Sequence, residues 1–188
     1  MLIVNKIIAA GRGLAPVLLA RASDIELDWD TRSKSRFEAN DSLGRRLGVF
    51  LPRGSVLRGG DVLVAEDGSL IKVRAATQPV LVVQHCSQHG SLFDLSRAAY
   101  HLGNRHVQLE LQADRLQLEP DPVLAALLRR MHLIVTEAVA AFEPEAGAYQ
   151  AAGAHDHGHA GHEPAHEPEH DHGHSGHDHD HSHCKHGH

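Results

Sequence analysis

Leu133-Ile134-Val135-Thr136-Glu137-Ala138-Val139-Ala140-Ala141-Phe142 is the stretch on which the fold turns, because it reads both as a continuing helix and as a strand. Its periodicity allows a helix that carries on from the residues before it. Ile134, Val135, Thr136 and Val139 are β-branched, however, and such side chains favour the pleated state. The elements upstream decide what a strand here would complete.

Immediately before it, Asp121 precedes Pro122, an N-cap followed by a proline at the first helical position. The helix it opens continues through Leu124, Leu127 and Leu128 to at least Met131. Further back, Leu116 and Leu118 flank Gln117, and Val107, Leu109 and Leu111 alternate with Gln108, Glu110 and Gln112. That pattern predicts two strands joined by a turn near Ala113 and Asp114. Ser91 followed by Asp94 forms a capping box, and Leu92, Leu95, Ala98, Ala99 and Leu102 keep helical spacing over 92–102, with Gly103 as the expected left-handed C-cap. Residues 80–83 are a strand by their β-branched content. Taken as a strand, 133–142 therefore closes a β-α-β-β-α-β series, the ferredoxin-like split unit with one sheet covered by two helices.

Residues 1–74 read differently. Short apolar runs at 2–8, 17–19, 25–27, 47–50 and 62–65 are punctuated by eight glycines, which predicts short strands in a small sandwich or barrel. Within it, Arg32, Lys34 and Arg36 alternate with Ser33, Ser35 and Phe37, so one strand face would carry three cations: either solvated or a docking surface for an acidic partner.

After residue 150 the composition changes again: 14 of the 19 histidines lie in 151–188, among Asp, Gly and Glu. They are His155, His157, His159, His162, His166, His170, His172, His174, His177, His179, His181, His183, His186 and His188. Neutral imidazole is a good donor to nickel, zinc, copper and cobalt, so repeated His-x-His units chelate. In an extended chain, residues two apart point the same way at roughly 6.5–7 Å, and a bend at Gly158 or Gly173 brings both rings onto one ion. At about three or four nitrogens per ion, capacity is on the order of three to five ions. Such a segment buries too little apolar surface to offset its chain entropy, so disorder is expected before metal arrives. Flexible ligands discriminate poorly, and copper should lead nickel and zinc. A plain affinity tag would be a bare histidine run without the repeated Asp and Gly.

The expected organisation is therefore α+β: a small all-β domain at 1–74, a ferredoxin-like domain at 75–149, and a disordered histidine-rich tail at 150–188. The tail's seven acids against Lys185 account for the whole net charge of −6, which leaves the rest of the chain neutral. Neutrality argues against a nucleic-acid or membrane surface. No apolar run reaches the ~18 residues of a membrane span, and no convincing signal-peptide cleavage pattern is present. Cys86 and Cys184 alone make no disulfide framework, which fits a reducing cytoplasm. No Gly-x-x-x-x-Gly-Lys-Ser/Thr loop, Ser-His-Asp set or paired carboxylates stand out, so no catalysis is expected.

Outside the tail, the segment Tyr100-His101-Leu102-Gly103-Asn104-Arg105-His106 is the most specific. It sets His106 at an element boundary, where a ligand can be reached. By residue type alone, a histidine there is more often hydrogen-bonded than ligating. Together with Arg32-x-Lys34-x-Arg36, Leu43-Gly44, the run from Pro52 to Asp61, and Phe142-x-Pro144-Glu145-x-Gly147-Ala148-Tyr149, the segment resembles the urease accessory protein E (UreE) family, the nickel metallochaperones of urease maturation. The resemblance spans the body, and the His-rich C-terminus matches too.

The resemblance implies an N-terminal partner-binding domain, a metal-binding domain that forms a homodimer, and nickel held by His106 at the dimer interface. It also implies the urease maturation GTPase and the urease activation complex as partners. His101, near the helix end, interacts favourably with the helix C-terminus or ligates metal. The chain departs from some relatives at Glu119-Pro120-Asp121-Pro122-Val123-Leu124, where prolines stand in place of auxiliary histidines. His85, Cys86 and His89 form a further His-Cys-x-x-His cluster that the resemblance does not require, and His132 is expected to be structural. The rival reading is a nickel, zinc or copper storage or detoxification protein in which the tail is the functional element.

Overall fold

A computed structural model describes residues 1–147. The tail histidines, Cys184 and the disorder expected of 150–188 lie outside the described residues.

The first unit is built on β1 (Leu2–Ile8), β2 (Ser23–Leu27), β3 (Arg36–Asn40), β4 (Arg46–Phe50), β5 (Val62–Ala65) and β6 (Leu70–Ala75). They form one sheet in the order β2-β6-β5-β1-β4-β3, with β1–β4 and β2–β6 parallel and the other pairs antiparallel. Val4, Ile25, Leu47, Val49, Leu57, Leu63 and Ile71 close its core, each contributing about 1.5–3 kcal/mol on burial.

Two short helices correct the all-β expectation. The run at 17–19 belongs to α1 (Pro16–Arg21), whose Pro16 stands at a first-turn position; the three apolar residues are too few to show a period. The cationic alternation belongs to no strand face either. Asp28 accepts a hydrogen bond from the Thr31 backbone N–H and starts a single helical turn, α2 (Trp29–Arg32). Arg32 thereby turns inward and is fully buried, Lys34 pairs with Asp30 at 2.6 Å, and only Arg36 begins β3.

The second unit runs β7 (Thr77–His85), α3 (Leu92–Gly103), β8 (Glu110–Leu111), β9 (Leu116–Leu118), α4 (Pro122–Arg130) and β10 (Leu133–Ala141). Its sheet order is β10-β7-β9-β8, with every neighbouring pair antiparallel. Both predicted caps are present: the Asp121 carboxylate accepts from Val123 and Leu124 N–H, and the Asp94 carboxylate accepts from Ser91 N–H at 2.8 Å. The stretch from Leu133 is a strand. Its odd positions Leu133 and Val135 face α3 and α4, while the even Ala138 and Ala140 pack with Trp29, Val80 and Phe142 on the opposite face. Serving two cores from two faces is why its periodicity reads ambiguously.

The two units meet at that second core. Arg32 Nε donates to the Leu27 carbonyl at 3.1 Å, and its Nη1 reaches Glu143 at 2.7 Å. Nη2 donates to the Phe142 carbonyl. The guanidinium lies 5.2 Å from the Trp29 ring centroid, and Arg58 stacks on the same ring at 4.9 Å. Gly59 donates its N–H to Glu143 at 2.8 Å, and a Cβ there would stand 2.8 Å from the same carboxylate oxygen, so a side chain at 59 would push that carboxylate aside. Two separated motifs, 52–61 and 142–145, are thus one seam in space.

Candidate metal centre

α3 ends in a way its sequence only half announces. Val107 N–H donates to the Leu102 carbonyl at 3.2 Å and His106 N–H to the Gly103 carbonyl at 2.9 Å. These are the two bonds of a Schellman closure, whose left-handed residue is usually glycine. Here that residue is His106, at φ 57°, while Gly103 stays helical. The expected glycine C-cap is therefore corrected by three residues. The closure is fixed by Val107, which tucks into the core that holds Leu102. Histidine tolerates the left-handed region better than most residues, yet the conformation still costs on the order of 1 kcal/mol.

The strand expected from Val107 begins only at Glu110, so His106 stands in an exposed loop ahead of β8. His106 lines a groove of about 380 Å³ together with Gly103, Leu109, Leu111, Glu145 and Gly147. The last described residues are held beside it: Glu145 N–H donates to the Leu109 carbonyl at 2.7 Å, and Glu143 N–H to the Glu110 carboxylate at 2.7 Å. Glu145, quoted above only for resemblance, thus lines the groove and is held there by its backbone. Its signal was the Pro144 and Gly147 around it, which mark a defined backbone path.

His101 is one turn back on α3 and does not line that groove. Its ring meets Tyr100 edge-on at 5.5 Å, and its carbonyl accepts from the Arg105 guanidinium at 2.9 Å. At the other end of α3, His85, Cys86, His89 and His132 line a separate cavity of about 650 Å³. Cys86 Sγ lies 3.8 Å from His89 Nδ1. That hydrogen bond, aided by the Gln88 and His89 backbone N–H groups, holds the Cys86 thiol below its ordinary value. Among the described residues, no three His, Cys, Asp or Glu side chains already converge on one point. None of the described helices is long and apolar enough to cross a membrane.

Residues 4–76 match the family model described as the UreE urease accessory protein, N-terminal domain, and residues 78–188 match that of the C-terminal domain. The chain is 74% identical over 155 residues to the urease accessory protein UreE of Methylibium petroleiphilum, covering 82% of this chain and 71% of that relative. Against the protein of the same name from Albidiferax ferrireducens it is 67% identical over 166 residues, or 88% of this chain and 94% of the relative.

Proposed function

The chain belongs to the UreE family of urease accessory proteins, and on that premise we propose that it is a metallochaperone that collects Ni(II) and delivers it to the urease activation complex. It serves urease maturation and is not itself a urease.

The observation that carries the nickel reading is His106, exposed and held at the left-handed position of the α3 closure beside the point where the tail departs. One such imidazole from each protomer of a homodimer supplies two nitrogens across a two-fold axis and leaves coordination positions open. An open ion can accept its next ligand before losing the last, which a closed four-ligand site resists. Phe93 and Tyr100, seven residues apart on α3 and both exposed, supply an apolar stripe for that second copy. The sheet order β10-β7-β9-β8, with α3 and α4 sharing one core, supports reading the second unit as ferredoxin-like.

In this reading the fourteen tail histidines gather ions and His101 assists near the helix end. The first unit docks on the maturation GTPase, which supplies the nucleotide hydrolysis, and the work is done in the cytoplasm. Zinc and copper also bind the tail, because flexible imidazoles impose no geometry.

A chain ending at Gln150 should bind about one nickel per dimer by calorimetry. No binding to that chain, or binding indifferent to His106→Ala, would sink the assignment. The abundance of tail histidines favours a second reading, metal storage. Nickel-dependent activation of apo-urease that proceeds equally with and without this protein, while the tail still takes up metal, would select it. Because only neutral imidazole ligates and its free pKa is ~6.5, tail loading should collapse as pH falls through about 6. Equilibrium dialysis that finds full loading at about pH 5 would transfer the binding to the carboxylates.

A further inference from the structure

The cavity ahead of α3 gathers ligand chemistry that the His106 centre does not use. After β7 the chain folds back within five residues, Gly90 N–H donating to the Cys86 carbonyl at 2.7 Å. A Cβ on Gly90 would lie 3.0 Å from that same oxygen, so the residue is glycine because the turn is this tight. The turn brings the Cys86 and His89 side chains together at the cavity mouth. His85 Nδ1 is buried and has no hydrogen-bond partner, an arrangement that normally costs about 1–3 kcal/mol. His132 lines the same cavity from the turn just ahead of β10, whose Leu133 pairs with His85, and it is held at a positive φ, 63°.

We propose that Cys86 and His89, with His85 as third donor, form a second metal site that takes a thiophilic ion of the zinc(II) class. The spacing of the first pair supports this. With metal–sulfur and metal–nitrogen bonds of about 2.3 and 2.05 Å, a 3.8 Å separation of Sγ and Nδ1 corresponds to an angle at the metal of about 120°, between trigonal and tetrahedral. An ion there would also satisfy the His85 nitrogen that the fold leaves without a partner.

The donors do not yet surround a common point. Closing the site takes side-chain rotation, for which the cavity gives room and the exposure of His89 gives freedom. The charged neighbours do not oppose it: Arg97 is paired with Asp94 at 2.9 Å, and Asp94 is also held by the Ser91 N–H. A thiolate with two imidazoles discriminates by softness, as the imidazole-only His106 centre does not. The two ends of α3 would thus hold different ions.

The test uses the full-length chain carrying Cys184→Ser and cobalt(II) as the spectroscopic substitute for zinc, titrated to saturation of the tail. Only Cys86 can then give a thiolate-to-metal charge-transfer band. The expected result is a band of one thiolate per chain that zinc displaces and Cys86→Ser abolishes. His89→Ala should raise the cobalt concentration needed for half the band at least about tenfold, the smallest loss seen even for supporting contacts. His89 is exposed, so this variant does not disturb the core. Absence of the band in the Cys184→Ser protein, or a band indifferent to His89→Ala, overturns the proposal.

Discussion

The two turns that bracket α3 both present histidines, but they present them differently. The leading turn is tight and cavity-lined, and it sets a thiol beside an imidazole with a second imidazole nitrogen buried nearby. The trailing turn is open, and it exposes a single imidazole on a strained residue next to a shallow groove. In the proposed site the leading turn has the makings of retention, since its donors all come from one chain and need only side-chain rotation to meet on an ion. In the proposed dimer the trailing turn has the makings of exchange, because a site with one donor per protomer would be complete only across a two-fold axis. The lesson is that coordination left unfinished by one chain is itself a functional property.

The sharpest way to break this comparison is His106→Ala in a chain ending at Gln150. Nickel affinity should fall by more than about a hundredfold by calorimetry, since both imidazoles of the proposed set are lost, one from each protomer. The same substitution should leave the cobalt–thiolate absorption band proposed for the leading turn unaffected.

A distant residue should also separate the two ends. Arg32→Ala removes the guanidinium that secures Leu27, Phe142 and Glu143, and should destabilise the fold by about 3 kcal/mol. That is the low end for breaking a buried pair, because Glu143 is 33% exposed. Urea denaturation checks the loss. Hydrogen exchange should show the Glu145 to Leu109 tie opening before the turn at Cys86.

The leading end responds to its cap. Asp94→Ala deletes the acceptor for Ser91 N–H and the partner of Arg97, and should cost about 1 kcal/mol in thermal or urea unfolding while His106 still binds nickel.

The smallest effect is the most diagnostic. His106→Gly removes both ligand and left-handed strain, and should stabilise the protein by about 0.5 kcal/mol after the extra entropy of the unfolded glycine is subtracted. Equal or lower stability would mean that the turn was never strained.

What could be read from the residues follows the range of the interaction involved. Asp121 with Pro122, and Ser91 with Asp94, announce their helices because a cap acts within three residues. The strand at 133 was legible from β-branching, although its two-faced burial blurred the period. Arg32 was misread as a surface cation, because the carbonyl and carboxylate that bury it lie at Phe142 and Glu143, far along the chain. The left-handed residue was misplaced because a glycine at 103 is the local signal, while the closure depends on Val107 finding Leu102. His106 was picked out by its motif, but its groove is built from Leu109 and Glu145, which no local pattern connects.

The tie of Glu145 to Leu109 acts beyond stability. It fixes the chain's departure point at Gly147 in the His106 groove, and His155 follows eight residues later. Eight residues span at most about 29 Å. Within a sphere of that radius a tethered imidazole has an effective concentration on the order of 10 mM. In the proposed function, an ion passing between the first tail histidine and His106 would therefore make an intramolecular step, at a rate that dilution of the protein does not change.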